Sequence, residues 1–114
     1  MDHVCFALPV LPGKTEGARA FMEELEGSRK AAYAASEQRI GIVKESWYLQ
    51  QTAGGDLLVA YMESPDFAKA LELFGQSTDE FDEWFKARML DVTGVDLSQP
   101  LPGPLSEQLS SYEA

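Results

Sequence analysis

The segment from Arg39 to Glu63 constrains this chain more than any other, because it reads as one antiparallel hairpin holding most of the unusual side chains. Its first arm is Arg39-Ile40-Gly41-Ile42-Val43-Lys44-Glu45-Ser46-Trp47-Tyr48-Leu49-Gln50, its turn Thr52-Ala53-Gly54-Gly55-Asp56, and its second arm Leu57-Leu58-Val59-Ala60-Tyr61-Met62-Glu63. Both arms are rich in β-branched and aromatic residues, and paired glycines supply the positive φ angles of a tight turn. Alternation puts Glu45, Trp47 and Leu49 on one face of the first arm and Ser46, Tyr48 and Gln50 on the other. On the second arm Tyr61 and Glu63 share a face with Leu57 and Val59. Two carboxylates, Glu45 and Glu63, therefore sit inside otherwise apolar strands beside Trp47 and Tyr61.

A chain of 114 residues supports one domain and one core, and is small enough for self-association to stabilise it. Nine basic residues against nineteen acidic ones give a net charge of −10. Such a surface repels phosphate backbones and anionic lipid, so neither nucleic acid nor a membrane is an expected partner. Cys5 is the single cysteine, which rules out an internal disulfide and fits a reducing compartment. The start Met1-Asp2-His3 has no basic leader region, and no apolar run reaches the length of a membrane span, so a cytoplasmic location is expected.

Ahead of the hairpin, His3 to Leu11 reads as a strand ending at Pro12-Gly13. From about Thr15 to Ala35 the apolar positions Ala18, Phe21, Met22, Leu25 and Ala32 follow helical spacing. After the hairpin, Ser64-Pro65 predicts a helix start, with Phe67, Ala70, Leu71 and Phe74 as its buried stripe and Gly75 as its end. Ser77 and Glu80 have capping-box spacing and open a third helix, which carries Phe81, Trp84, Phe85 and Met89 and stops at Gly94. Val95-Asp96-Leu97 reads as a short last strand. Ser98 to Ala114, with Pro100, Pro102 and Pro104, reads as an extended arm, so the domain spans 1–97 and the arm 98–114. This order of elements is that of a ferredoxin-like α+β sandwich, an antiparallel sheet with helices on one face.

The strand His3-Val4-Cys5-Phe6-Ala7-Leu8 running into Pro12-Gly13-Lys14 and a helix resembles the dimeric α+β-barrel superfamily. The runs Glu45-Ser46-Trp47-Tyr48-Leu49-Gln50 and Phe81-Asp82-Glu83-Trp84-Phe85 resemble a small uncharacterised bacterial family within it. The resemblance covers Asp2 to Leu97. It implies a homodimer whose two sheets close face to face around a lumen that binds a small molecule in each half. It does not fix an activity, since the fold hosts oxygenases, isomerases, cyclases and proteins with none. Monooxygenases and haem-degrading members rely on an asparagine beside a tryptophan, and this chain contains no asparagine. Cyclase and isomerase members use a histidine with a tyrosine or carboxylate, which this chain possesses.

Within that frame the candidate catalytic residues are His3, Glu45, Glu63, Tyr48 and Tyr61. His3, the one histidine, shares a strand face with Cys5 and Ala7 and is a candidate acid or base near neutral pH. Glu45 or Glu63, desolvated by Trp47 and Tyr61, would have a raised pKa suited to proton transfer, with Glu45 favoured because Trp47 shares its face. Tyr48 or Tyr61 would polarise a carbonyl oxygen. Trp47, Arg39 and Gln50 are candidate ligand contacts, Arg39 because a guanidinium can hold a carboxylate in two places. The competing reading makes these same side chains a dimer interface in which tyrosines and glutamates satisfy each other. Gly13-Lys14-Thr15 lacks the glycine five residues earlier that a phosphate loop requires, where Leu8 stands instead. His3, Cys5 and scattered carboxylates form no recognised ligand set, so no metal or other cofactor is expected. Two functions stay open: a cofactor-independent isomerase, lyase or cyclase acting on a carbonyl compound, or a non-catalytic binding or stress-type protein.

Overall fold

A computed structural model describes residues 1–101 and 103–114. Strands β1 (Asp2–Pro9), β2 (Lys44–Thr52) and β3 (Gly55–Ser64) form an antiparallel sheet in the order β1-β3-β2, so the hairpin supplies two of its three strands. Its register sets Trp47 opposite Ala60 and Thr52 opposite Gly55, which leaves Ala53-Gly54 as the turn. Gly55 sits at φ +131°, outside the range a side chain tolerates easily, and Thr52 Oγ1 donates to its carbonyl at 2.6 Å. On the other side of β3, β1 pairs with His3 opposite Glu63.

Helices α1 (Thr15–Glu26), α2 (Lys30–Ile40), α3 (Phe67–Gln76) and α4 (Glu80–Thr93) pack on one face of this sheet. The chain is thus an α+β protein. Alternation decides what meets the helices: Val4 and Leu8 from β1 and Leu58, Ala60 and Met62 from β3 are buried, while His3, Cys5 and Tyr48 on the opposite face are exposed. Phe21 of α1 is fully buried, edge-on to Phe85 at 5.0 Å and to Trp84 at 5.5 Å between ring centroids. Truncating such a ring to alanine costs about 3–5 kcal/mol.

Several expectations from the sequence need correction. The single helix over Thr15–Ala35 is two, because the chain leaves the helical path at Gly27-Ser28-Arg29 and restarts at Lys30. Arg29 then holds the bend against α4, with Nη1 2.9 Å from Glu80 Oε1 and its guanidinium 4.3 Å from the centre of the Trp84 ring. The first hairpin arm begins at Lys44, since Arg39 and Ile40 finish α2 and Gly41 caps it at φ +87°. Asp66, rather than Ser64, caps α3 by accepting from Lys69 N at 3.1 Å. Ser64 closes β3 and donates to Gly41 O at 2.7 Å. Helix α3 runs past Gly75 to Gln76, and Asp79, rather than Ser77, caps α4. Gly94 does end α4, at φ +76°.

No strand forms at Val95–Leu97, which is loop and turn, so the sheet has three strands among the described residues. Val95 and Leu97 pack instead against the core, and Leu101 is half-buried. Further along, Cys5 N donates to Ser106 Oγ at 3.0 Å at the free edge of β1. Leu109 does not find the burial its side chain would favour and is 88% exposed. Pro102 lies outside the described residues.

Candidate functional site

The break at Gly27 turns α2 so that Tyr33, Ser36 and Glu37, at helical spacing, point towards β2 and α4. Glu45 meets them from β2. Its Oε2 accepts a hydrogen bond from the Tyr33 hydroxyl and another, at 2.9 Å, from the Trp47 indole N–H. The Glu37 carboxyl hydrogen-bonds to Glu45 as well. Two carboxyls thus meet in one partly buried site with two neutral donors on the same oxygen.

Burial is the main influence on their acidity. It raises the Glu37 pKa to about 9, with the negative charge of Glu45 adding to the effect and that of Asp82 adding less. Burial also raises Glu45, opposed by the hydrogen bonds from Tyr33, Trp47 and Glu37. Both carboxyls are thus held above the ordinary carboxylate range, and the hydrogen bonds that converge on Glu45 lessen the rise there. Burial and the neighbouring Glu45 push the Tyr33 hydroxyl far above its ordinary range, so it stays a donor.

Behind this pair lies a fixed ionic brace. Asp82 of α4 is fully buried and accepts from Ser36 Oγ and Ser77 Oγ at 2.5 Å each and from Arg39 Nη2 at 2.9 Å. Burial opposes ionisation of Asp82, but these hydrogen bonds outweigh it and hold the pKa below the usual range. Arg39 also pairs with Asp79 at 3.1 Å. It therefore braces α2 against α4 and is paired with Asp79 and Asp82, not with Glu45 or Glu63.

The Glu37–Glu45 pair opens onto a cavity of about 50 Å³ between sheet and helices, walled by apolar side chains such as Phe6, Trp47, Met62, Phe74 and Phe85. Leu97 and Leu101, from the segment after α4, also line it. Among the described residues, no three His, Cys, Asp or Glu side chains converge in a metal-binding group.

The remaining candidates lie across the sheet. His3 Nδ1 is 2.9 Å from the Tyr61 hydroxyl, which donates to Glu63 Oε2 at 2.7 Å, and Lys44 Nζ lies 5.8 Å from the Tyr61 ring centre. The bond to Glu63 raises the Tyr61 pKa. Tyr48 and Gln50 share this open face, Tyr48 60% exposed and Gln50 donating to Gln51 O at 3.2 Å. His3 and Glu45 are therefore on opposite faces of one sheet and cannot share a proton-transfer step within a chain. Of the residues singled out from sequence, Glu45 and Trp47 meet at the cavity, while His3, Tyr61 and Glu63 meet on the open face.

Tyr33, Ser36, Glu37 and Asp82 escaped the sequence reading because an apolar stripe was the marker for an inward helix face. The available signal was a tyrosine and a glutamate four residues apart in an alanine-rich stretch, opposite a glutamate already suspected of burial.

No helix among the described residues is long and apolar enough to cross a membrane. No curated protein and no solved structure matches the chain. A family of unknown function, DUF6176, matches residues 1–99, and the chain belongs to that family.

Proposed function

We propose that this protein binds a small molecule in the cavity beside Glu37 and Glu45 and catalyses cofactor-independent proton transfer on a carbonyl compound. The observation that carries this reading is the pair itself, two carboxyls with raised pKa values beside an apolar cavity, of which Glu37 would hold a proton and Glu45, with its hydrogen-bond donors, would carry the charge. Such a pair has an acid and a base ready at once. Glu45 would take the proton from the carbon beside the carbonyl, while the Glu37 proton passes to the carbonyl oxygen, giving an enol. Where a second double bond conjugates with the enol, Glu45 returns the proton to the far carbon and the enol proton goes back to Glu37, which gives isomerisation with no oxidant or reductant consumed. Tyr33 and Trp47, both bound to Glu45 Oε2, hold the base in place.

The open sheet face fits a second role, that of the interface of a ferredoxin-like homodimer forming the α+β barrel. His3, Tyr61 and Glu63 satisfy one another there, which favours an interface over a reaction centre for these three residues.

The test is deuterium exchange at the α-carbon of a panel of uncharged ketones in D₂O. Wild type should accelerate exchange into at least one of them. Glu45→Gln and Glu37→Gln should each lower that rate by about 10²–10⁴-fold, the usual worth of a positioned acid or base. Wild-type exchange no faster than buffer across the panel would leave the non-catalytic binding reading.

A further inference from the structure

The cavity beside Glu37 and Glu45 is separated from a neighbouring cleft of about 300 Å³ by Leu71, Leu97 and Leu101, which line both spaces. Leu71 is fixed in α3, whereas Leu97 and Leu101 belong to the segment after α4. The hydrogen bonds of residues 96–101 among the described residues are local: Ser98 N to Asp96 Oδ1 at 2.9 Å and Gln99 N to Asp96 O at 3.2 Å. The segment lies against α3 where Gly75 has no side chain, and a Cβ there would stand 3.2 Å from the Leu97 carbonyl oxygen. Apolar contact, not a hydrogen-bond ladder, holds this partition shut, the kind of element that opens locally ahead of the rest of a fold.

Size and charge say what would pass it. An engineered apolar cavity of about 150 Å³ holds benzene. The inner cavity, at about 50 Å³, is too small for a ring while both leucines are in place. Neither space is lined by Lys, Arg or His among the described residues, while Glu37, Glu45 and Glu72 line one or the other. An anionic ligand would meet carboxylates with no counter-charge. An ammonium would shed its hydration to reach a Glu45 oxygen already taken by Tyr33 and Trp47. An uncharged compound meets neither obstacle.

We propose that Leu97 and Leu101 are a gate, and that the pocket joined by its opening takes an uncharged, ring-sized compound with one hydrogen-bonding oxygen facing Glu37 and Glu45. This inference rests on the reading of the cavity as a ligand site, though not on any reaction there. Three probes sharing one ring separate the charge classes: cyclohexanone, cyclohexanecarboxylate and cyclohexylammonium, titrated into the full chain and followed by NMR. Cyclohexanone should shift the Trp47 indole N–H and the Leu97 and Leu101 methyl signals saturably, and the two ions should bind at least about tenfold more weakly. Weakening the gate should tighten ketone binding by about tenfold, because less of the intrinsic affinity is lost to the closed form. Gly75→Ala does this by pressing on the Leu97 carbonyl, and the double change Leu97→Ala with Leu101→Ala by removing the partition. A ketone that binds but does not exchange its α-protons supports the gate and counts against catalysis. Absence of ketone binding in wild type and both gate variants overturns the inference. So does binding of either ion as tight as the ketone, or ketone affinity unchanged in both folded gate variants.

Discussion

Trp47 donates its indole N–H to Glu45 Oε2 at 2.9 Å, from two residues further along the same face of β2. One strand thus supplies both the accepting oxygen and a donor that fixes it, while α2 brings the second donor, Tyr33, and Glu37, whose pKa burial raises to about 9. Removing the indole donor by Trp47→Phe should raise the Glu45 pKa further, since that bond favours the ionised form. A cavity ring would remain, so the change should cost about 1–3 kcal/mol in chemical denaturation, the range for a buried acceptor losing its partner.

Glu37 makes stability depend on pH in a defined direction. Its pKa is raised from 4.5 to about 9 on folding. Between those values the folded form keeps a proton that the unfolded chain releases, so this contribution is complete below the lower value and is lost as pH rises through the upper one. One proton sets a limiting slope of about 1.4 kcal/mol per pH unit. Melting temperature should therefore fall from pH 5 to pH 9, and Glu37→Gln should flatten that fall.

Asp82 acts in the opposite sense. Its pKa is lowered by folding, so its contribution is present above the unfolded value and lost as pH falls through the folded one. With Glu37 this places the best stability in weakly acidic solution. Asp82→Asn at neutral pH leaves Arg39 without one partner and puts an amide between two hydroxyls, and should cost about 3 kcal/mol by chemical denaturation.

The homodimer reading is checked by sedimentation. A particle of twice the chain mass is expected at micromolar concentration, and Tyr48→Glu on the open face should shift it to monomer without loss of helical signal. A monomeric wild type would remove the barrel.

Truncation after Gly94 removes Val95 and Leu97, which pack on the core, and Leu101, which lines the cavity. Melting temperature should drop, and Trp47 fluorescence should move to longer wavelength as water enters. Unchanged melting would show the segment to be a free tail.

The hairpin, the shared His3-Cys5-Ala7 face of β1 and the Gly94 stop were legible because period-two alternation and glycine chemistry are local properties. Glu45 and Trp47 could be assigned to one face for the same reason. The bend at Gly27 was not, since apolar residues continue in helical phase from Leu25 to Ala32 and hide it. The inward face of α2 was missed because it is polar, and its residues become a site only when β2 and α4 meet them. Ser64 and Ser77 each lie two residues before the side chain that does the capping. Their hydroxyls join other bonds, Ser64 to Gly41 O and Ser77 to Asp82, which propensity cannot foresee.

The proton assigned to Glu37 can be tested by direct observation. Carboxyl carbon-13 NMR of glutamate-labelled protein, titrated from pH 4 to pH 10, should show one glutamate still protonated at neutral pH with a midpoint of about 9. That signal should be absent from Glu37→Gln. If every glutamate instead titrates in the ordinary carboxylate range, no proton is held between Glu37 and Glu45, and the acid–base site does not exist.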